Sequence, residues 1–262
     1  VYLWCDNADG GHARRTNQCS AKGEFLDHGL DLLNATYVIC MTVITLGAPP
    51  FWSFAAAVAV PAAAAITYWE QAETGVFQLG LFNQIESIFA LSIALTARGL
   101  LGSEAIASVA VGGVALPTIT LAVVTFTALL AILQGFLRVA QKRGRLLPFL
   151  GPLSFGVAVT LAAATGALGT LAAIIAGAVV FIFFGIRQLN FRVRGERPLV
   201  DLNVLVAAAV VFGLAGYRLL GGASGALIDW TAATAVTLAF GGLSLARALE
   251  GHREVERLDH SR

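Results

Sequence analysis

The chain is short of charge. Of its 262 residues only 13% are Asp, Glu, Lys or Arg, while 57% are hydrophobic and the mean hydropathy is +0.78. That leaves too little polar surface to coat a water-soluble globule, so the ordinary soluble classes are excluded. Cys5, Cys19 and Cys40 are too few and too scattered for a disulfide framework or a zinc site. A net charge of +1, with no basic patch interleaved with aromatics, gives no reason to expect a nucleic-acid partner. Signal-peptide character is missing, and so is a start methionine: the chain opens at Val1 and its single methionine is Met41. The expectation is a chain truncated at its amino terminus. Internal repeats are absent.

What is present in abundance is long apolar sequence. Runs such as "FWSFAAAVAVPAAAAITYW" and "TLAAIIAGAVVFIFFGI" approach the roughly 20 residues that cross a bilayer as a helix. Helix is required because lipid offers the backbone no hydrogen-bond partners. Apolar runs between polar breaks predict about eight full spans, near 24–48, 51–69, 84–102, 117–139, 148–166, 168–186, 198–219 and 222–246, with 1–13 the end of a further, partial helix. The expected fold is an all-α polytopic transmembrane helical bundle forming one domain over 1–262. Within it, 1–47 holds the polar helices, 48–246 the remaining spans and 247–262 a tail. The piece 103–116, "SEAIASVAVGGVAL", either extends a neighbouring span or lies at the interface.

Alternating the spans across the bilayer puts fifteen of the seventeen Lys and Arg residues on one side, with only Arg98 and Arg218 on the other. By the positive-inside rule the loops after 13, 139 and 186, and the tail, face the cytoplasm. The tail "EGHREVERLDHSR" is expected to be a solvated helix end. Integral membrane placement, with the polar opening at the cytoplasmic surface, follows.

That opening, Cys5 to Asp31, crowds acids into the lipid boundary. Asp6 and Asp9 are three apart and Asp27 and Asp31 four apart, so each pair shares a helix face. A turn over 15–22 lets two helices run antiparallel and brings the four carboxylates towards one point. Bare, they would repel and take up protons. A divalent cation removes the conflict, and oxygen-only ligands favour Mg²⁺ or Mn²⁺, with room for two ions. Arg14 lies one turn beyond Asp9, where its planar fork suits a phosphate. Gly10 and Gly23 let a bulky ligand approach the backbone. Together the parts describe a site for a diphosphate compound.

The string Asp6-x2-Asp9-Gly10-x2-Ala13-Arg14-x8-Gly23-x3-Asp27-x3-Asp31 matches at every position the signature of the CDP-alcohol phosphotransferases, and the chain resembles that family. The resemblance implies a membrane enzyme that cuts a CDP-alcohol at its diphosphate, moves the phosphoalcohol to an acceptor hydroxyl and releases CMP. It implies that Asp6, Asp9, Asp27 and Asp31 hold two metal ions. Gly10, Ala13 and Gly23 would then line the cytidine site, Arg14 would meet the phosphates, and Asp31 would take the proton of the attacking hydroxyl. Homodimers are also common in the family.

Within the family, "GEFLDHGLD" and "WEQAETGVFQLGLFN" are most similar to the choline and ethanolamine phosphotransferase branch, although no histidine precedes Thr74. The leading expectation is therefore transfer of phosphoethanolamine or phosphocholine from a CDP-alcohol to a lipid hydroxyl such as that of diacylglycerol. The alternative is a phosphatidyltransferase that uses CDP-diacylglycerol and a small soluble alcohol, and a transporter is the distant third reading. His28, four residues after Glu24 and three before Asp31, is either a general base or a group that orients a metal ligand. Glu24 reads as its partner. Glu86 reads as either a functional or an interfacial acid, and Glu70 and Glu73 as loop charges. Arg187, Arg192 and Arg194 are explained by topology. Trp52, Trp69 and Trp230 are expected to be interfacial anchors, and Asp229 a helix-end charge.

Overall fold

Helix boundaries follow the caps. In the computed structural model, which describes residues 11–13, 15–78, 84–222 and 226–260, the chain is helical at 11–13, 15 and 16 and turns at Asn17, whose φ is 56°. For 84–91, 103, 107, 226–230, 232, 233, 255 and 258–260 the backbone path alone is described. Helix α1, Ala21–Leu46, begins three residues earlier than expected because the Ser20 hydroxyl caps it, accepting from the Gly23 N–H at 3.0 Å. The connection between the two polar helices therefore shortens from eight residues to about 17–20.

Helix α2, Pro50–Thr74, starts on a proline, which needs no intrahelical donor there. Gly47 and Gly75 close α1 and α2 with φ of 61° and 73°, values that glycine adopts without strain. Helices α3, Gln84–Leu101, and α4, Ser103–Ser108, come next. The undecided stretch 103–116 thus divides into α4 and a hairpin of two short strands, Ala110–Val111 and Val114–Ala115, turned by Gly112 and Gly113 at φ of 60° and 80°.

Helix α5 covers Leu116–Gln141. A 3₁₀ turn over Leu147–Phe149 leads into α6, Leu150–Ala164. Helix α7 covers Thr170–Arg194, α8 Leu202–Leu219 and α9 Ala226–His260.

Each of the eight expected segments thus contains a helix. Among the described residues six are long and apolar enough to cross a membrane: α1, α2, α5, the 3₁₀ turn with α6, α7 and α8. The apolar stretches of α3 and α9 fall in part on residues of which only the backbone path is described, so the six are a count among the described residues. The molecule is an all-α polytopic bundle whose outer face carries exposed apolar side chains such as Ile44, Phe126 and Val206, as a surface that meets lipid should.

Helices α2 and α7 form the centre. α2 packs chiefly on α7 and α5, α7 on α9, and α6 on α8, while α1 lies across α2 and α7. Small residues permit the close approach. A Cβ added at Gly185 on α7 would stand 2.5 Å from Leu32 Cδ2 and 3.5 Å from the Ala65 backbone, so one glycine brings α1, α2 and α7 together. Gly177 meets Val58 in the same way a little over two turns earlier. Phe155, Phe181, Phe183 and Phe184 fill the remaining core.

Candidate active site

The polar side chains collect at one end of this bundle, where α1 and α8 begin and α2, α5, α7 and α9 end. Asp27 and Asp31 lie on α1 four residues apart, a rise of about 6 Å, and so share a face; Asp27 is exposed and Asp31 half-buried. Gly23 is in the first turn of α1. Its N–H is engaged by Ser20, and an added Cβ would meet that hydroxyl at 3.4 Å. Ala13 is half-buried, and its carbonyl accepts from the Gln18 N–H at 2.9 Å. Asp6, Asp9, Gly10 and Arg14 lie outside the described residues, as do the side chains of Glu86, Asp229 and Trp230. Among the described residues no three His, Cys, Asp or Glu side chains are grouped to hold a metal ion.

His28, between the two aspartates, is packed against rings. Its centroid lies 4.9 Å from Phe77, nearly parallel at 21°, and 5.5 Å from Tyr68, and these two rings are 6.0 Å apart. The αL residue Gly75 turns the chain back so that Phe77 reaches Tyr68 of α2. Thr74 fixes that reversal, its hydroxyl donating to the Glu70 carbonyl at 2.8 Å and accepting from the Val76 N–H at 3.3 Å. Nδ1 of His28 is buried, and among the described residues it has no hydrogen-bond partner. Glu24, one turn before His28, turns to other helices: Gln71 Nε2 donates to it at 3.4 Å, and the Arg192 guanidinium stands 3.9 Å away. The acid end of α1 is thereby tied to the ends of α2 and α7.

Two expected loop charges prove structural. Glu70 is 2% exposed within α2 and takes Arg138 of α5 in a two-point fork, Nε at 2.5 Å and Nη2 at 2.7 Å. Gly135, one turn before Arg138, leaves the room, since a Cβ there would lie 3.3 Å from Glu70 Oε2. Glu73 also belongs to α2 and accepts from the Arg145 backbone N–H at 3.0 Å. Sequence patterning missed both because the helix outlasts its apolar run by a full turn, and partners on α5 make burial of an acid tolerable. Trp69, expected at the interface, is fully buried against Phe149 with centroids 5.4 Å apart. Trp52 is half-buried and touches Phe51 and Phe126.

The arginines of α7 are paired as well. Arg187 stands 3.1 Å from Asp201, the buried N-cap of α8. Burial pushes the Asp201 carboxyl above its ordinary range, while Arg187 and the N–H groups of Val204 and Asn203 draw it back. Arg194 pairs with Glu250, which Arg247 also grips at 2.5 Å. Hydrogen bonds from Arg194 and Arg247 hold the Glu250 carboxyl below its usual value. Lys22 at the start of α1 reaches Glu256 at 3.2 Å, and Asn190 Nδ2 donates to the Arg247 carbonyl at 2.8 Å. The tail is therefore not a free solvated helix end: α9 is docked along α7 and onto the acid-bearing helix.

The description that matches this chain is that of the CDP-alcohol phosphatidyltransferase family, whose model covers residues 1–184. The chain belongs to this family. Members of this family are transferases of phosphate-containing groups. The chain is 34% identical over 95 residues to cholinephosphotransferase 1 of Danio rerio, covering 36% of the chain and 25% of that protein. Against cholinephosphotransferase 1 of Homo sapiens the figures are 33% over 95 residues, 36% and 23%. An uncharacterized CDP-alcohol phosphatidyltransferase class-I family protein 2 of Dictyostelium discoideum is 29% identical over 107 residues, covering 40% of the chain and 26% of that protein. The matched segments thus span about a quarter of each relative's length.

Proposed function

We propose that this enzyme transfers phosphocholine or phosphoethanolamine from the corresponding CDP-alcohol to a lipid hydroxyl such as that of diacylglycerol, releasing CMP. The observation that carries the reading is the placement of Asp27 and Asp31 on one face of α1, at the polar end of an apolar bundle, where a water-soluble nucleotide and a lipid can meet. Likeness to the cholinephosphotransferases supports the choice of donor. The donor set suits a hard divalent ion, because the carboxylates of α1 offer oxygen alone. Asp27 and Asp31, joined by Asp6 and Asp9, would hold Mg²⁺ or Mn²⁺, and four carboxylates are enough for two ions. Such ions, when bound, neutralise charge on the diphosphate.

In this mechanism the acceptor oxygen attacks the phosphorus that bears the alcohol. The bond from that phosphorus to the oxygen bridging to CMP breaks, and CMP carries away the electron pair. Asp31 receives the proton of the attacking hydroxyl. Arg14 faces the phosphates, and Gly10, Ala13 and Gly23 border the cytidine. His28 acts as a positioning residue, since Phe77 and Tyr68 pack against its ring and Nδ1 is buried. The site opens to the cytoplasm, where basic loops gather.

The test supplies radiolabelled CDP-choline, CDP-ethanolamine or CDP-diacylglycerol with candidate acceptors to the purified enzyme. Labelled phospholipid from either of the first two supports the proposal. CMP release from CDP-diacylglycerol alone replaces it with the phosphatidyltransferase reading. Asp27→Asn should abolish transfer and weaken Mg²⁺ binding while leaving the helical content intact.

A further inference from the structure

The loop after α5 carries three cations that the proposed reaction does not use. Lys142, Arg143 and Arg145 are exposed, and among the described residues none forms an ion pair. Their loop is nonetheless held in shape. The Lys142 N–H donates to the Arg138 carbonyl at 3.1 Å, that of Arg143 to Ala140 at 3.0 Å and that of Gly144 to Val139 at 2.9 Å. Glu73, the carboxylate that reaches this loop, takes the Arg145 backbone N–H and leaves its guanidinium uncompensated.

Directly beside these cations is a groove of about 690 Å³ between α5 and α6, lined by Leu129, Leu133, Phe136, Gly144, Leu146 and Leu150 among others. Gly144 and Leu146, which line the groove, alternate along the chain with the exposed Arg143 and Arg145, so the cations lie next in sequence to part of its wall. Topological bias explains basic residues at this end of the bundle, but it does not explain why they border an apolar cleft.

We propose that this groove binds an anionic phospholipid, with an acyl chain between α5 and α6 and the headgroup phosphate at Lys142, Arg143 and Arg145. Two complementarities meet only in that ligand class. A free anion leaves the apolar wall unused, and a neutral lipid, diacylglycerol included, leaves three positive charges unmatched. Each cation near an anionic headgroup strengthens binding about five-fold, so three give a preference on the order of 100-fold over a zwitterionic lipid.

Native mass spectrometry of the full purified chain, titrated with phosphatidylglycerol, phosphatidylcholine or diacylglycerol, reads this directly and is independent of which CDP-alcohol is the donor. Phosphatidylglycerol should bind on the order of 100-fold tighter than phosphatidylcholine. The triple variant Lys142→Gln, Arg143→Asn, Arg145→Gln should bring the two lipids level; Asn suits position 143, where φ is 55°. Leu133→Trp with Leu150→Trp fills the groove while keeping every charge, and should weaken phosphatidylglycerol as well. Should the triple variant fail to fold, the groove variant and the salt response of the unaltered protein decide: added salt must weaken phosphatidylglycerol and spare phosphatidylcholine. Equal binding of the two phospholipids, diacylglycerol binding as tight as phosphatidylglycerol, or displacement of phosphatidylglycerol by inorganic phosphate at matched concentration overturns the proposal.

Discussion

Glu70→Gln should be far more damaging than its distance from the aspartates suggests. The carboxylate is 2% exposed and holds the Arg138 guanidinium at two points, 2.5 and 2.7 Å. Breaking a buried pair by removing one partner costs about 3–5 kcal/mol, because the other charge is left without compensation. Two features reduce that here. The Arg138 side chain is 24% exposed and regains some water, and the amide oxygen of Gln still accepts one hydrogen bond. A loss of about 2–3 kcal/mol is therefore expected, and at about 2–4 °C per kcal/mol for chains near this length the midpoint should fall by roughly 5–10 °C. The measurement is the fraction that stays monodisperse after heating in detergent. A companion variant, Glu70→Leu with Arg138→Leu, removes both charges and should recover most of the loss, since an apolar pair can replace a buried ion pair at little cost. Transfer should also fall in Glu70→Gln, because the neighbouring Tyr68 and Gln71 tie α2 to His28 and Glu24. A melting midpoint within about 1 °C of the unaltered protein, or a double variant less stable than the single, would refute the reasoning.

Three further outcomes can be checked. His28→Phe keeps the ring stack with Tyr68 and Phe77, so it should retain most of the transfer rate that His28→Ala loses; if His28 were the base, both variants would lose about 10²–10⁴-fold. Gly251→Val places a Cβ where Asn190 Oδ1 is only 2.0 Å and the Phe25 ring 2.7 Å away, a clash worth about 1–3 kcal/mol that should loosen α9 and expose Arg253 and Arg257 to trypsin. Glu250 has its carboxyl held below the ordinary 4.5, so its contribution to docking α9 is fully present above that pH and is lost as the pH falls through the lowered value. Proteolysis of the tail should rise over that acid window, and Glu250→Gln should remove the pH dependence.

Helix identity and membrane class were legible in the sequence because both depend on local composition: lipid forces apolar stretches into helix, and the spacing of Asp27 and Asp31 sets a shared face before any packing occurs. The signature string also led to the right family. Helix ends were less legible. α2 runs through Glu70 and Glu73, α7 through Arg192 and Arg194, and α9 through the charged tail, because several of these charges find partners distant in sequence: Glu70 on Arg138, Glu73 on the Arg145 N–H and Arg194 on Glu250. Reading charges as stop signals fails wherever such pairing offsets burial.

The sequence by itself determined the apolar helices, the acid spacing on α1 and the family, all properties of residues close together along the chain. Only the tertiary structure decided that His28 stacks on Tyr68 and Phe77, that Glu70 is buried against Arg138, and that α9 returns to Lys22 of α1. The physical reason is that burial and charge compensation belong to pairs of groups, and which pairs meet is set by how the helices pack around Gly185 and Gly251.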